Sequence, residues 1–205
     1  MTPEAFKIGL LGHGTVGSAF AELLPQRAGA IVNLTGREPV LVGTPLTTLQ
    51  GSFDEILAEA DLVVELMGGL EPARTHVLAA MAAGKHVVTA NKALLAVHGT
   101  EIFAAAARKG VIVAYEAAVA GGIPIIKALR EGLVANRIDW VAGIVNGTTN
   151  FILSEMRDKG LDFGTVLKEA QRLGYAEADP TFDIEGIDAA HKTALMSAIA
   201  FGIPV

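Results

Sequence analysis

Gly12-His13-Gly14-Thr15-Val16-Gly17 sets three glycines at the spacing of a phosphate-binding turn, directly after an apolar run and before helical spacing. Gly12 permits the tight turn, Gly14 lets a pyrophosphate approach the backbone, and Gly17 allows close helix–strand packing. The amides of Thr15 and Val16 at the helix start add donors and positive potential for an anion. A dinucleotide is the ligand this chemistry fits, with a purely structural glycine turn as the plainer reading. Its ribose is expected at the end of a second strand, over Leu34-Thr35-Gly36-Arg37-Glu38. Arg37 there would pair with the 2′-phosphate of NADP, while Glu38, one residue late, would serve NAD.

Two lysines add proton chemistry. Lys92, in Thr89-Ala90-Asn91-Lys92, follows a strand-like run at the edge where doubly wound sheets bind ligands. There it can hydrogen-bond a substrate, steer a nicotinamide or assist proton transfer. Asp188 and Lys192 are four residues apart, so on a helix starting near Ile187 they share one face. That pair suits an acid that binds substrate beside a lysine that reaches the reacting oxygen; a solvated i,i+4 salt bridge is the alternative. His191 would point about 100° away and is read as structural.

The elements that must position these groups alternate. Strands are expected at Phe6–Leu11, Ala30–Leu34, Asp61–Leu66, His86–Thr89 and Val111–Ala114. Helices are expected at Val16–Leu24, Phe53–Ala60, Pro72–Ala83 and Thr100–Lys109, with Arg37–Gln50 a loop holding at most a short strand. This rhythm predicts an α/β fold with a doubly wound parallel (Rossmann) sheet over residues 1–115. The pattern changes near Tyr115. Residues 116–205 read as an incomplete α+β domain: a helix at Pro124–Glu131, a strand at Arg137–Val145, then helices at Thr149–Lys159, Asp162–Leu173 and Ile187–Phe201.

Composition narrows the classes. The 205 residues are 51% hydrophobic and 19% charged, enough for a sizeable core. A net charge of −6 gives no electrostatic reason to expect nucleic acid. The apolar runs are too short for a membrane span, which needs ~20 residues. There are no cysteines, which excludes disulfides, thiolate zinc sites and a cysteine nucleophile. With no leader pattern after Met1, a cytoplasmic enzyme with a small-molecule substrate is expected.

Longer segments resemble one family. Thr89–Ala96 (TANKALLA), Tyr115–Leu153 (YEAAVAGGIPIIKALREGLVANRIDWVAGIVNGTTNFIL) and Gly174–Lys192 (GYAEADPTFDIEGIDAAHK) are similar to segments of homoserine dehydrogenases. With the glycine turn, the resemblance covers essentially the whole chain. It implies reversible, NAD(P)-linked interconversion of L-homoserine and L-aspartate 4-semialdehyde, a step of threonine, methionine and isoleucine biosynthesis, in a homodimer or higher homo-oligomer. Gly12, Gly14, Thr15, Val16, Gly17, Arg37, Lys92 and Gly174 fall at cofactor positions. Glu177 and Asp188 match substrate-binding acids, and Asp183, with Asp179, belongs to the same acid-rich loop. Lys192 matches the proton donor, with Lys92 as the second catalytic lysine.

The resemblance also places a monovalent-cation site, with sodium the expected ion, at Glu116, Val119, Gly121 and Ile123. Oxygen-only ligation suits such a hard ion. Family members continue past Val205 with further strands, so the second domain is expected to be unfinished. Two alternatives remain open: a related amino-acid dehydrogenase, and a catalytically incomplete NADP-binding protein.

Overall fold

The structure is a computed structural model that describes residues 3–42 and 52–205. It divides into two compact units, Met1–Ile126 with Pro204–Val205, and Lys127–Ile203. That boundary lies later than the change of sequence pattern at Tyr115.

Unit 1 alternates strand and helix: β1 Glu4–Leu11, α1 Thr15–Thr35, β2 Arg37–Val42, α2 Phe53–Glu59, β3 Leu62–Glu65, α3 Ala73–Ala82, β4 His86–Thr89, α4 Lys92–Lys109 and β5 Val113–Ala114. The five strands form one parallel sheet in the order β2-β1-β3-β4-β5. Alternation along β1 sends side chains to both faces. Ile8 and Leu10 pack with Phe20, Ala21 and Leu24 of α1, while a Cβ on Gly9 would meet Ile56 and Ala60. Helices therefore cover both faces, as a doubly wound sheet requires. The chain reverses direction of travel across the sheet between β1 and β3, so their carboxyl ends flank the switch-point crevice where such folds bind ligands.

One strand is not where the sequence suggested. Ala30–Leu34 is the last part of α1, which runs through Pro25 and ends at Gly36 in the left-handed region (φ +72°). The β-branched pair Ile31-Val32 reads as strand, yet it carries the helix on. The second strand starts only at Arg37, and Pro39 is tolerated because β2 is an edge strand. The expected loop beyond Val42 falls largely outside the described residues. A second correction concerns α4, which begins at Lys92 rather than Thr100 because Asn91 caps it, its side chain accepting from Leu94 N.

The short α5 (Ile125–Lys127) carries the chain from unit 1 into unit 2, which is helical among the described residues: a π-helical turn Ala128–Gly132, then α6 Gly147–Lys159, α7 Phe163–Arg172, α8 Thr181–Ile184 and α9 Ile187–Phe201. Its core joins Ile152, Val166, Ala170 and Ala176, with Phe151, Met156 and Leu167 against them. The strand expected at Arg137–Val145 does not form. No strand is present among the described residues of unit 2 to pair with it, and a lone strand leaves its ladder groups unbonded. Trp140 and Ile144 in that segment are 76% and 81% exposed.

Candidate functional site

The glycine turn leaves β1 at the switch point. Gly12 has φ +94°, and a Cβ there would lie 2.6 Å from the Leu66 carbonyl. A Cβ on Gly17 would lie 2.0 Å from the Gly12 oxygen. Internal packing therefore demands both glycines. Gly14 differs: a Cβ there meets nothing within 4 Å among the described residues. It caps α1 in extended geometry (φ −75°, ψ −158°), with Thr15 and Val16 in the first turn. The first amides of a helix lack intrahelical partners. An open cradle over such amides fits a dinucleotide's pyrophosphate.

The neighbouring wall is built on a residue the sequence reading passed over. Glu65 ends β3 fully buried. Its Oε1 accepts from Met67 N (2.8 Å) and Gly68 N (3.3 Å), and its Oε2 accepts from the Thr89 hydroxyl (2.6 Å). Thr89 Oγ1 accepts in turn from Asn91 N (2.9 Å), and Asn91 Nδ2 donates to Gly69 O (2.7 Å). One polar chain thus fixes the Met67–Gly69 loop and the start of α4, where Lys92 is the first residue. The acid interrupting the apolar run DLVVEL was the available signal.

Arg37 is not at the cofactor edge. It is the first residue of β2 and pairs in register with Glu4, at the amino end of β1, opposite the end that carries Gly12. Its guanidinium bonds Glu4 (3.2 Å) and Ala5 O (3.1 Å), stands 3.9 Å from Asp61 and lies over the Phe6 ring. Placing the strand too early in the sequence put this residue at the wrong end. It ties strands together, and Glu38 moves with it.

The expected cation loop also belongs to unit 1. Glu116 opens a 3-10 turn, Glu116–Ala118, and its Oε1 accepts from Ile126 N (2.9 Å). Val119 is buried, Ala120 and Gly122 have positive φ, and Ile123 O accepts from Ile125 N. Gly121 lies between them and is exposed. No group of three or more His, Cys, Asp or Glu that could hold a metal ion occurs among the described residues. One carboxylate among backbone carbonyls can balance no more than a single positive charge.

In unit 2 the acid–lysine pair joins a buried aspartate to a half-buried lysine and is not a solvated salt bridge. Asp188 is 4% exposed, and its Oδ2 lies 2.7 Å from Lys192 Nζ, which also donates to Val145 O (2.7 Å). Asn146, a second residue the sequence reading missed, donates from Nδ2 to Asp188 Oδ2 (2.9 Å) and Asp183 Oδ1 (2.7 Å). Its Oδ1 caps α6 by accepting from Thr149 N (2.8 Å). The structure brings together Asp183, Asp188 and Lys192.

Among the described residues no hydrogen bond joins the other expected residues of unit 2 to this cluster. Glu177 is exposed, and its carbonyl accepts from Gln171. Gly174 turns the chain after α7 with φ +79°. Asp179 accepts from Thr181 N and the Thr181 hydroxyl just before α8, and the hydroxyl bond holds its carboxyl below the usual carboxylate range. His191 packs edge-on against Phe182, in keeping with a structural role.

Comparison with known proteins decides the family. Residues 12–116 match the model for "Homoserine dehydrogenase, NAD binding domain", and residues 124–205 match that for "Homoserine dehydrogenase". The chain belongs to the homoserine dehydrogenase family. It is 58% identical to the homoserine dehydrogenase of Pseudomonas aeruginosa over 212 aligned residues, which cover 97% of this chain and 49% of that one. A homoserine dehydrogenase crystal structure from Thiobacillus denitrificans superposes with a TM-score of 0.93 at 60% identity, covering 98% of this chain and 50% of that one. A hyperthermophilic archaeal homoserine dehydrogenase in complex with NADPH matches at TM-score 0.85 and 28% identity, covering 98% of this chain and 71% of that one. The chain thus spans about half the length of the curated relatives it matches. Within the homoserine dehydrogenase fold, unit 1 contains the matched nucleotide-binding region up to residue 116, and no helix among the described residues is long and apolar enough to cross a membrane.

Proposed function

We propose that the protein catalyses the reversible NAD(P)-dependent interconversion of L-homoserine and L-aspartate 4-semialdehyde. The observation that carries this reading is the Asp188–Lys192 pair, with its carboxylate buried, in a chain whose family acts on an amino acid with a primary alcohol. When bound, the dinucleotide supplies hydride transfer. The protein's part is orientation and proton handling.

Gly12, Gly14, Thr15, Val16 and Gly17 would hold the pyrophosphate, with Lys92 and Gly174 as further cofactor contacts. With Arg37 at the opposite edge, support for NADP over NAD rests on the archaeal homologue bound to NADPH. Asp188, Asp183 and Glu177 would hold the substrate ammonium by charge-assisted bonds. Lys192 uses two of its three N–H donors on Asp188 and Val145 O among the described residues, which leaves one for the substrate oxygen. It would give that oxygen a proton in aldehyde reduction and take one back in alcohol oxidation. Glu116 and the carbonyls of Val119, Gly121 and Ile123 would hold a monovalent cation such as sodium, in a structural role.

The reaction belongs in cytoplasmic synthesis of threonine, methionine and isoleucine. The exposed Trp140 and Ile144 support self-association to a homodimer or larger oligomer, which light scattering would detect. The test of the activity is reduced-nicotinamide absorbance with L-aspartate 4-semialdehyde against a panel of other small amino-acid aldehydes and alcohols. Turnover on the semialdehyde that Lys192→Ala abolishes is expected. Preference for another substrate would favour a related amino-acid dehydrogenase, and tight NADPH binding without turnover on any of them would overturn the reading.

A further inference from the structure

Asp183 on α8 and Asp188 on α9 are both bonded by the same neutral group. The Asn146 amide donates one hydrogen to each, at 2.7 and 2.9 Å, and the oxygen it reaches on Asp188 is the one that also holds Lys192. The amide cannot turn over to present its oxygen to the acids. Its Oδ1 is fixed on the other side by Thr149 N (2.8 Å) and Thr149 Oγ1 (2.9 Å), at the start of α6. The preceding residue, Val145, accepts from Lys192 through its carbonyl. Two consecutive residues of the segment entering α6 therefore grip the lysine directly and its carboxylate partner through a side chain.

We propose that Asn146 is a positioning residue of the candidate active site: anchored by the α6 N-terminus, its amide holds the Asp183 and Asp188 carboxylates side by side and, through Asp188, sets Lys192. The catalytic half of this statement rests on the proposed homoserine chemistry; the bridging half does not. A cap alone would require only Oδ1, since aspartate and asparagine serve equally at a helix N-cap. The bridge requires both Nδ2 hydrogens. The charged groups around the amide are Asp183 from α8 and Asp188 and Lys192 from α9.

Asn146→Asp separates the two roles. It keeps the capping oxygen but replaces two donors with an acceptor facing two carboxylates. One carboxyl of the cluster must then keep a proton to restore a bridge, so its folded pKa rises above its unfolded value. Such a group stabilises the fold at low pH, and that stability is lost as pH rises through the folded pKa. The Asn146→Asp protein is expected to melt several degrees below wild type at pH 8, with the deficit shrinking toward pH 5. The exchange variant Asn146→Asp with Asp183→Asn restores the original charge and one of the two bonds, from the new amide at position 183, but leaves the new carboxylate facing Asp188 without a hydrogen. It should recover part of the melting temperature and keep part of the added pH dependence.

In the proposed homoserine reaction, kcat should fall at least about tenfold in Asn146→Asp. KM for the dinucleotide should stay unchanged in that variant, and the exchange variant is read by melting alone because Asp183 is itself a proposed substrate contact. A single variant with wild-type melting and kcat, or an exchange variant that melts no higher than the single one, would overturn the proposal. If wild type shows no turnover, the functional reading fails, and the melting curves still decide the bridge.

Discussion

In unit 1 the candidate cofactor edge is made of backbone, with glycines that clear space and amides at a helix start. The candidate substrate cluster of unit 2 is made of side chains instead, where an ammonium, two carboxylates and an amide satisfy one another, the Asp188 carboxylate and the Asn146 amide buried and the other two half-buried. The difference teaches where each site is vulnerable. A backbone cradle fails when an atom is added, because a Cβ collides with the chain at Gly12 and Gly17 and would take the ligand's space at Gly14. A buried side-chain cluster fails when an atom is removed or a charge is changed, because its partners are left unpaired.

The largest expected effect comes from removing the ammonium. Lys192→Ala should lower kcat by about 10²- to 10⁴-fold, the usual contribution of a positioned proton-transfer group, as steady-state kinetics on the semialdehyde would show. A loss under tenfold would demote the lysine to a structural ion pair.

Adding a methyl to the cradle should split its glycines into two kinds. Gly17→Ala drives a Cβ to 2.0 Å from the Gly12 oxygen, so the thermal midpoint should fall by several degrees or the protein should not accumulate. Gly14→Ala meets open space, so the fold should stand while dinucleotide affinity drops tenfold or more by calorimetry. If both variants melt alike, the cradle reading of Gly14 is wrong.

Glu65→Gln tests whether unit 1 also depends on a buried side-chain network. The amide can satisfy the Thr89 hydroxyl or the Met67 and Gly68 amides, but not all of them as the carboxylate does. A loss of about 1–3 kcal/mol in denaturant unfolding is expected.

The smallest effect is at the surface. Asp162 caps α7, and its bonds to Thr165 hold its carboxyl below the usual range. A group with a depressed folded pKa gives stability above its unfolded pKa, near ~3.9, and loses it as pH falls through the folded value. Asp162→Asn keeps the cap and should flatten that part of the acid melting profile. An unchanged slope would show that the cap contributes nothing by charge.

The same contrast explains what was legible in the sequence. Gly12, Gly14 and Gly17 announce themselves because a backbone need leaves a spacing within six consecutive residues. Asp188 and Lys192 were legible for a similar reason, since a helix brings i and i+4 together. Asn146 was not, because its partners lie at positions 183 and 188 and no local period connects them. Glu65 was half visible as an acid in an apolar strand. Ala30–Leu34 misled because β-branched residues before a glycine look like a strand, yet they form the last part of α1 before its Gly36 cap. That single displacement carried Arg37 to the wrong end of β2. The expected strand at Arg137–Val145 has the right residues but no partner strand among those described.

The most direct test of the division of labour is NADPH binding by calorimetry to wild type, Gly14→Ala and Lys192→Ala, with turnover measured on the same samples. The account predicts that Gly14→Ala stays folded but loses NADPH, whereas Lys192→Ala binds NADPH as wild type does and turns over no semialdehyde. Full NADPH affinity in Gly14→Ala, or loss of affinity in Lys192→Ala, would contradict it.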